Sequence, residues 1–211
     1  MQKTMTQPEL AAIEVKGMTR EAFIMRGAIA AGGVYGLSTV GPFVGQAMAQ
    51  GSGGDLDILN FALTLEFLEG AFYTMAVKDV KGLTGDAKEV ATTLRDNELE
   101  HVDALTATIK DLGGEPVKAP GVDFGDAFSS QDTFLELAQT FEDLGVGAYN
   151  GAGPMIESTD VLAAAGSIVQ IEGRHAGVIR FVRGEPIEET PFDKGLPMEE
   201  VLAAAKPFIK G

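Results

Sequence analysis

Cysteine is absent from all 211 residues. That excludes disulfides, thiolate zinc sites, iron–sulfur clusters and cysteine nucleophiles in one step. Histidine is nearly absent, with two copies, so the places where they fall carry information. Basic residues are scarce as well: 16 Lys and Arg stand against 31 Asp and Glu, for a net charge of −15. Such a surface repels phosphate backbones, so nucleic acid is not an expected partner, whereas cations are. Beyond residue 50 no apolar run is long enough to span a membrane. Hydrophobic residues nevertheless make up 45% of the chain, enough for a buried core.

Residues 1–50 differ from the rest. They carry four basic and three acidic residues, while the remaining 161 carry 12 and 28. Lys16, Arg20 and Arg26 precede a glycine-rich, weakly apolar run from Ala28 to Ala49. Ala47-Met48-Ala49-Gln50 fits a small-x-small cleavage site. Thr19-Arg20-Glu21-Ala22-Phe23-Ile24 resembles a twin-arginine export signal with Glu21 in place of the second arginine. The expectation is an export leader over 1–50 and a domain over 51–211, placing the mature protein in the periplasm, on the cell surface or outside the cell. The other reading is a retained N-terminal helix, packed on the domain or anchoring it to a membrane.

Four helical stretches follow the flexible joint at Gly51–Gly54. The first, Asp55 to about Val77, is apolar nearly all round, which predicts deep burial. The second spans about Ala87 to Leu112 after a turn at Lys81–Gly85, with Thr84 or Asp86 as N-cap. The third begins near Gln131, capped by Ser129 or Ser130, and ends near Asn150. The fourth starts at Ser158, Thr159 or Asp160 and runs to Arg183 before Gly184 and Pro186. A short helix over Met198–Ala205 closes the chain, and no strand pattern is evident. The first two helices are tightly linked. Helices two and three are joined by Glu115–Ser130, long enough to travel the length of a bundle. An all-α, four-helix bundle of two hairpins with one long crossover, the ferritin-like topology, is predicted.

The hairpins repeat. Glu66 precedes Tyr73 by seven positions, and Glu142 precedes Tyr149 by seven, two turns along one helix face. Both histidines fall in a Glu-x-x-His motif: Glu98 with His101, and Glu172 with His175. Residues i and i+3 share a face and differ in height by ~4.5 Å, so such a pair can grip one metal ion. Each hairpin thus offers one lone Glu and one Glu-x-x-His. Meeting on a bundle axis, Glu66, Glu98, His101, Glu142, Glu172 and His175 make a ligand set for two ions. Four carboxylates also balance two divalent charges. Glu69, one turn beyond Glu66, is its rival or an additional ligand. Glu66 stands among Leu63, Leu65, Phe67 and Leu68, where a solvated charge is poorly explained. Tyr73 and Tyr149 are candidates to bond the opposite carboxylates or pass single electrons, the plainer reading being core aromatics. Asp96, Asp103 and Gln170 are candidate partners for the imidazoles.

These residues resemble the ferritin-like domain family that includes exported bacterial proteins and plant desiccation-related proteins. Asp57–Glu66 with Phe72-Tyr73 is similar to its first-helix signature, and Asn97-Glu98-Leu99-Glu100-His101 to its second. Glu200–Ile209 is similar to its C-terminal ending, so the likeness covers about residues 52–211. The site also resembles those of rubrerythrins and manganese catalases. The resemblance implies two Fe or Mn ions acting on O2 or peroxide, as ferroxidase, peroxidase or catalase, in oxidative or desiccation stress defence. Carboxylate-rich ligation suits Fe or Mn better than zinc. Metal binding without turnover and a purely structural stress protein are the alternatives. A homodimer stays open, and a membrane is a partner only if the leader stays attached.

Overall fold

A computed structural model describes residues 54–188 and 190–210. The expectations for residues 1–50 lie outside that range. The described residues form five α-helices: α1 (Asp55–Asp79), α2 (Gly85–Asp111), α3 (Gln131–Ala152), α4 (Thr159–Arg183) and α5 (Met198–Ala205). The predicted helices are all present, and their ends shift by two residues at most. None is long and apolar enough to cross a membrane.

Helix α1 buries residues on every face, from Ile58 and Leu59 to Phe72, Tyr73 and Ala76. Helix α2 is amphipathic instead, with the buried stripe Ala87, Ala91, Leu94, Glu98, His101, Leu105, Ile109. The alternation of three and four positions is that of a core-facing helix. Glu98 and His101 therefore occupy positions the packing reserves for apolar side chains. In α4 the stripe Val161, Ile168, Glu172, His175, Ile179 repeats the pattern. Ser130 caps α3 through a reciprocal box with Thr133. Ser158 caps α4, which ends at Gly184 in the left-handed region at φ 75°, where its N–H returns to the Arg180 and Phe181 carbonyls. Thr84 occupies the N-cap position of α2 without a side-chain bond.

α1 packs on α2 and α3 on α4 as two hairpins. The crossover between them runs the length of the bundle. It is tied at one end by Asn60, whose side chain accepts from the Val117 N–H at 2.8 Å. At the other end it drops Phe124 and Phe128 onto Phe72. Asp55 joins the hairpins by accepting from the N–H groups of Glu157 and Ser158 at 2.7 and 2.8 Å.

Two short strands correct the expectation of no sheet. β1 (Gly121–Val122), in the crossover, pairs antiparallel with β2 (Ile209–Lys210), with Gly121 opposite Lys210. Two-residue strands have no alternation to read, so no periodicity announces them. The pairing fastens the C-terminal tail to the crossover, and α5 lies on α3.

The apolar core has two parts. One, around Phe72, stacks Phe134, Phe141, Phe124 and Phe208 with ring centroids 5.0–6.3 Å apart. The other, around Leu59, Leu63, Leu105, Ile109 and Ile168, is almost wholly aliphatic. Along α1 the two interleave before Glu66, with Ile58, Phe61 and Leu65 in the first and Leu59, Ala62 and Leu63 in the second, and beyond Glu66 the buried apolar residues belong to the first alone.

Candidate metal centre

Glu66, Glu98, Glu142 and Glu172 have no exposed surface, and His101 and His175 are 9% and 3% exposed. Each of the four long helices contributes, because each places its Glu or Glu-x-x-His on the core stripe. The imidazoles face the same interior from opposite hairpins, with ring centroids 6.2 Å apart.

His101 Nδ1 lies 3.2 Å from Glu66 Oε2, 3.2 Å from Glu98 Oε2 and 3.2 Å from Glu172 Oε1. His175 Nδ1 lies 2.9 Å from Glu98 Oε1 and 3.2 Å from Glu142 Oε2. Ligand atoms fall into two sets whose members lie within 4.8 Å of one another. One is Glu66, Glu98, His101, Glu172, and the other is Glu98, Glu142, Glu172, His175. Glu98 and Glu172 belong to both, so the sets are adjoining halves of one cluster.

Tyr73 donates to Glu142 Oε1, and Tyr149 donates to Glu66 Oε1. Each tyrosine thus engages one oxygen of the other hairpin's lone glutamate. Burial, then the nearby glutamates, push both phenols well above their ordinary range, so they remain donors.

The donor chemistry fits metal ions. Glu98 Oε1, Glu142 Oε2, both oxygens of Glu172 and His175 Nδ1 are buried with no aligned hydrogen bond. Several of these atoms are nonetheless within 2.9–3.2 Å of one another. Atoms that crowd together without bonding are aimed at a shared point. Burying four carboxylates is costly without cations among them. Burial drives Glu172 well above its ordinary range, and lifts Glu66 to about 8. Glu98 goes the other way: burial raises it, but bonds from His101 and His175 pull it down to about 2.

Glu69 is buried too, at 3% exposed. It belongs to neither ligand set, and its Oε2 is unpartnered. Its place in the repeat corresponds to Gly145. A Cβ there would lie 3.2 Å from Glu69 Oε1 and 3.1 Å from Glu172 Oε2. Glycine leaves the room in which this fifth carboxylate sits, so the repeat is asymmetric at this point.

The suggested imidazole partners are not the ones present. Asp96 pairs with Arg95, Gln170 bonds the Gly166 carbonyl, and Asp103 is exposed. Asn97 instead places its amide 2.9 Å from His175 Nε2. The position equivalent to Asn97 in the second motif is Ile171, so the repeat gives no signal for it.

Comparison with known proteins adds one finding. A model of the ferritin-like domain matches residues 54–185. No curated protein matches the chain.

Proposed function

We propose, because this chain belongs to the ferritin-like domain family, that its bundle centre holds two iron or manganese ions and acts on dioxygen or peroxide. The observation that carries the reading is the pair of adjoining ligand sets sharing Glu98 and Glu172. Glu66 with His101 would hold one ion and Glu142 with His175 the other, the shared carboxylates serving both. Two such ions supply a reservoir of two electrons beside an oxygen substrate.

The protein's own groups have separable tasks. Tyr73 and Tyr149 hold Oε1 of Glu142 and of Glu66 and leave each Oε2 facing an imidazole at the centre. For His175 to offer the Nδ1 lone pair, its proton must sit on Nε2; the Asn97 amide, whose Nδ2 lies 2.9 Å from Nε2, would accept that hydrogen bond with its amide turned over to present the oxygen. The two apolar clusters around the centre keep bulk water from the carboxylates. The leader reading of residues 1–50 makes this an exported protein, tested by sequencing the mature N-terminus for a start at Gln50.

Elemental analysis of protein purified from its own compartment, followed by Fe(II)-oxidation and peroxide-consumption assays, tests the proposal. Two equivalents of Fe or Mn with turnover are expected. A filled centre without turnover would leave metal sequestration. Full metal content retained in both Glu98→Ala and His175→Ala would sink the ligand assignment.

A further inference from the structure

A cavity of about 40 Å3 lies between the four long helices, where the two core clusters meet, with Phe61 and Leu65 of one and Leu59, Leu105 and Ile168 of the other on its wall. Its wall is apolar except for Thr108 and Tyr149. Both hydroxyls donate elsewhere, Thr108 to the Ala104 carbonyl at 2.8 Å and Tyr149 to Glu66. A buried water needs two to four polar partners, and roughly 10–15 Å3 suffices to hold one. This space has the room for a small molecule but not the partners for water or peroxide.

Its position is as telling as its lining. Ala62, Leu105 and Ile168 on its wall each stand four residues from Glu66, His101 and Glu172, about one helical turn or ~5.4 Å. Those three residues belong to one ligand set, the half containing His101. On the wall nearest solvent are Ala104 and Ala164, both exposed, and the half-buried Ala165. The equivalent positions beyond the His175 half are Leu94, Ala138 and Ile179, all buried in the Phe72 cluster. A separate recess of about 700 Å3 on α3 and α4 is charged, with Asp143, Arg180 and Lys194 on its wall beside Gly173 and Ala176.

We infer that the apolar cavity is the entry and docking place for dioxygen, delivering it to the Glu66–His101 half of the centre. This rests on the proposed metal centre and selects between its two oxidants. The dimensions admit a diatomic gas, the lining favours an apolar one, and the alanine wall opens it to solvent.

Xenon is the probe. Pressurised onto the metal-free chain, it is expected to occupy this cavity, seen by crystallography or xenon NMR. Ala165→Leu at the mouth, and Ala62→Leu on the facing wall, are expected to displace it while leaving metal content unchanged. In the Fe(II)-loaded variants, oxidation by dioxygen should slow about tenfold while oxidation by hydrogen peroxide keeps its rate. In the dioxygen reaction two Fe(II) ions each lose one electron, and one O2 with two protons leaves as hydrogen peroxide. Absence of xenon from the wild-type cavity overturns the inference. So does an unchanged dioxygen rate with xenon displaced, or equal loss with both oxidants in both variants. A chain that takes metal but no xenon sinks this inference alone. One that takes xenon but no metal sinks the metal centre and, with it, the destination assigned to the gas.

Discussion

Asn97 has no chemistry of its own at the centre, yet its amide lies 2.9 Å from His175 Nε2, the ring nitrogen turned away from the carboxylates. Removing an outer partner of a ligating histidine costs roughly 10–100-fold in metal affinity. Asn97→Ala should therefore weaken binding of one ion by that factor and leave the helical circular dichroism intact, as read by competition with a chelator. Loss of less than twofold would show that the ring is oriented by packing alone. The imidazoles also set a pH dependence. Burial pulls both pKa values down, but the carboxylates more than reverse it, raising His101 to about 12 and His175 to about 10. In the metal-free protein the imidazolium–carboxylate contacts thus stabilise the fold fully below the unfolded histidine value of ~6.5. That contribution is lost as pH rises through about 10 to 12. Metal must displace both protons, so affinity should fall as pH falls. At pH 7 calorimetry in buffers of different ionisation enthalpy should record at least two protons released on filling, one from His101 and one from His175. Zero released protons would mean that the histidines are not ligands.

Each long helix was readable to the extent that its own residues determine it. The all-round apolar α1, the Ser130 and Ser158 caps and the Gly184 stop depend on neighbours in sequence, and their ends fell within two positions of expectation. The six converging side chains were readable because the hairpin repeats, which turns four weak motifs into one pattern. Where the repeat breaks, the sequence says less. Glu66 and Glu69 share a helix; the repeated Glu–Tyr spacing favours Glu66 as the ligand, but only the room left at Gly145 shows how Glu69 is buried beside it. Asn97 reaches His175 across the hairpins, 78 residues away, with no counterpart at Ile171. The aromatic half of the core was equally hidden, since Phe124 and Phe128 come from a crossover without periodicity. Phe72 is its hub, fully buried and touching Phe124, Phe128, Phe134 and Phe141 at 5.0–5.5 Å. Phe72→Ala should cost about 3–5 kcal/mol, measured by urea unfolding. A loss below about 1 kcal/mol would mean that the crossover end is not cooperative with the bundle.

At the scale of the molecule, the centre interrupts one core with a layer of five buried carboxylates and two imidazoles. Both apolar clusters are made without it, so the metal-free chain should fold, with the layer neutralised by protons rather than ions. Metal then acts as a ligand of the native state alone, because six groups spread from Glu66 to His175 meet only in the folded chain. Stabilisation follows from mass action. At a free metal concentration 100 times Kd, each independent site adds about 2.7 kcal/mol. Thermal melts of the metal-free protein should therefore be helical and cooperative, with a Tm that climbs as Mn(II), or Fe(II) without oxygen, is added. A chelator should return it to the starting value. Glu98→Ala removes a carboxylate common to both ligand sets, so its Tm should hardly respond to metal even if its metal-free Tm is close to wild type. Exposed acidic residues, which leave the chain at −15, also bind cations weakly, but that contribution is screened by salt. Repeating the titration in 0.5 M NaCl, a concentration chosen to shorten the Debye length to about 4–5 Å, separates the two. A metal-dependent rise that vanishes in salt, or that persists undiminished in Glu98→Ala, would place the bound cations on the surface and leave the buried cluster a proton-filled relic of the repeat.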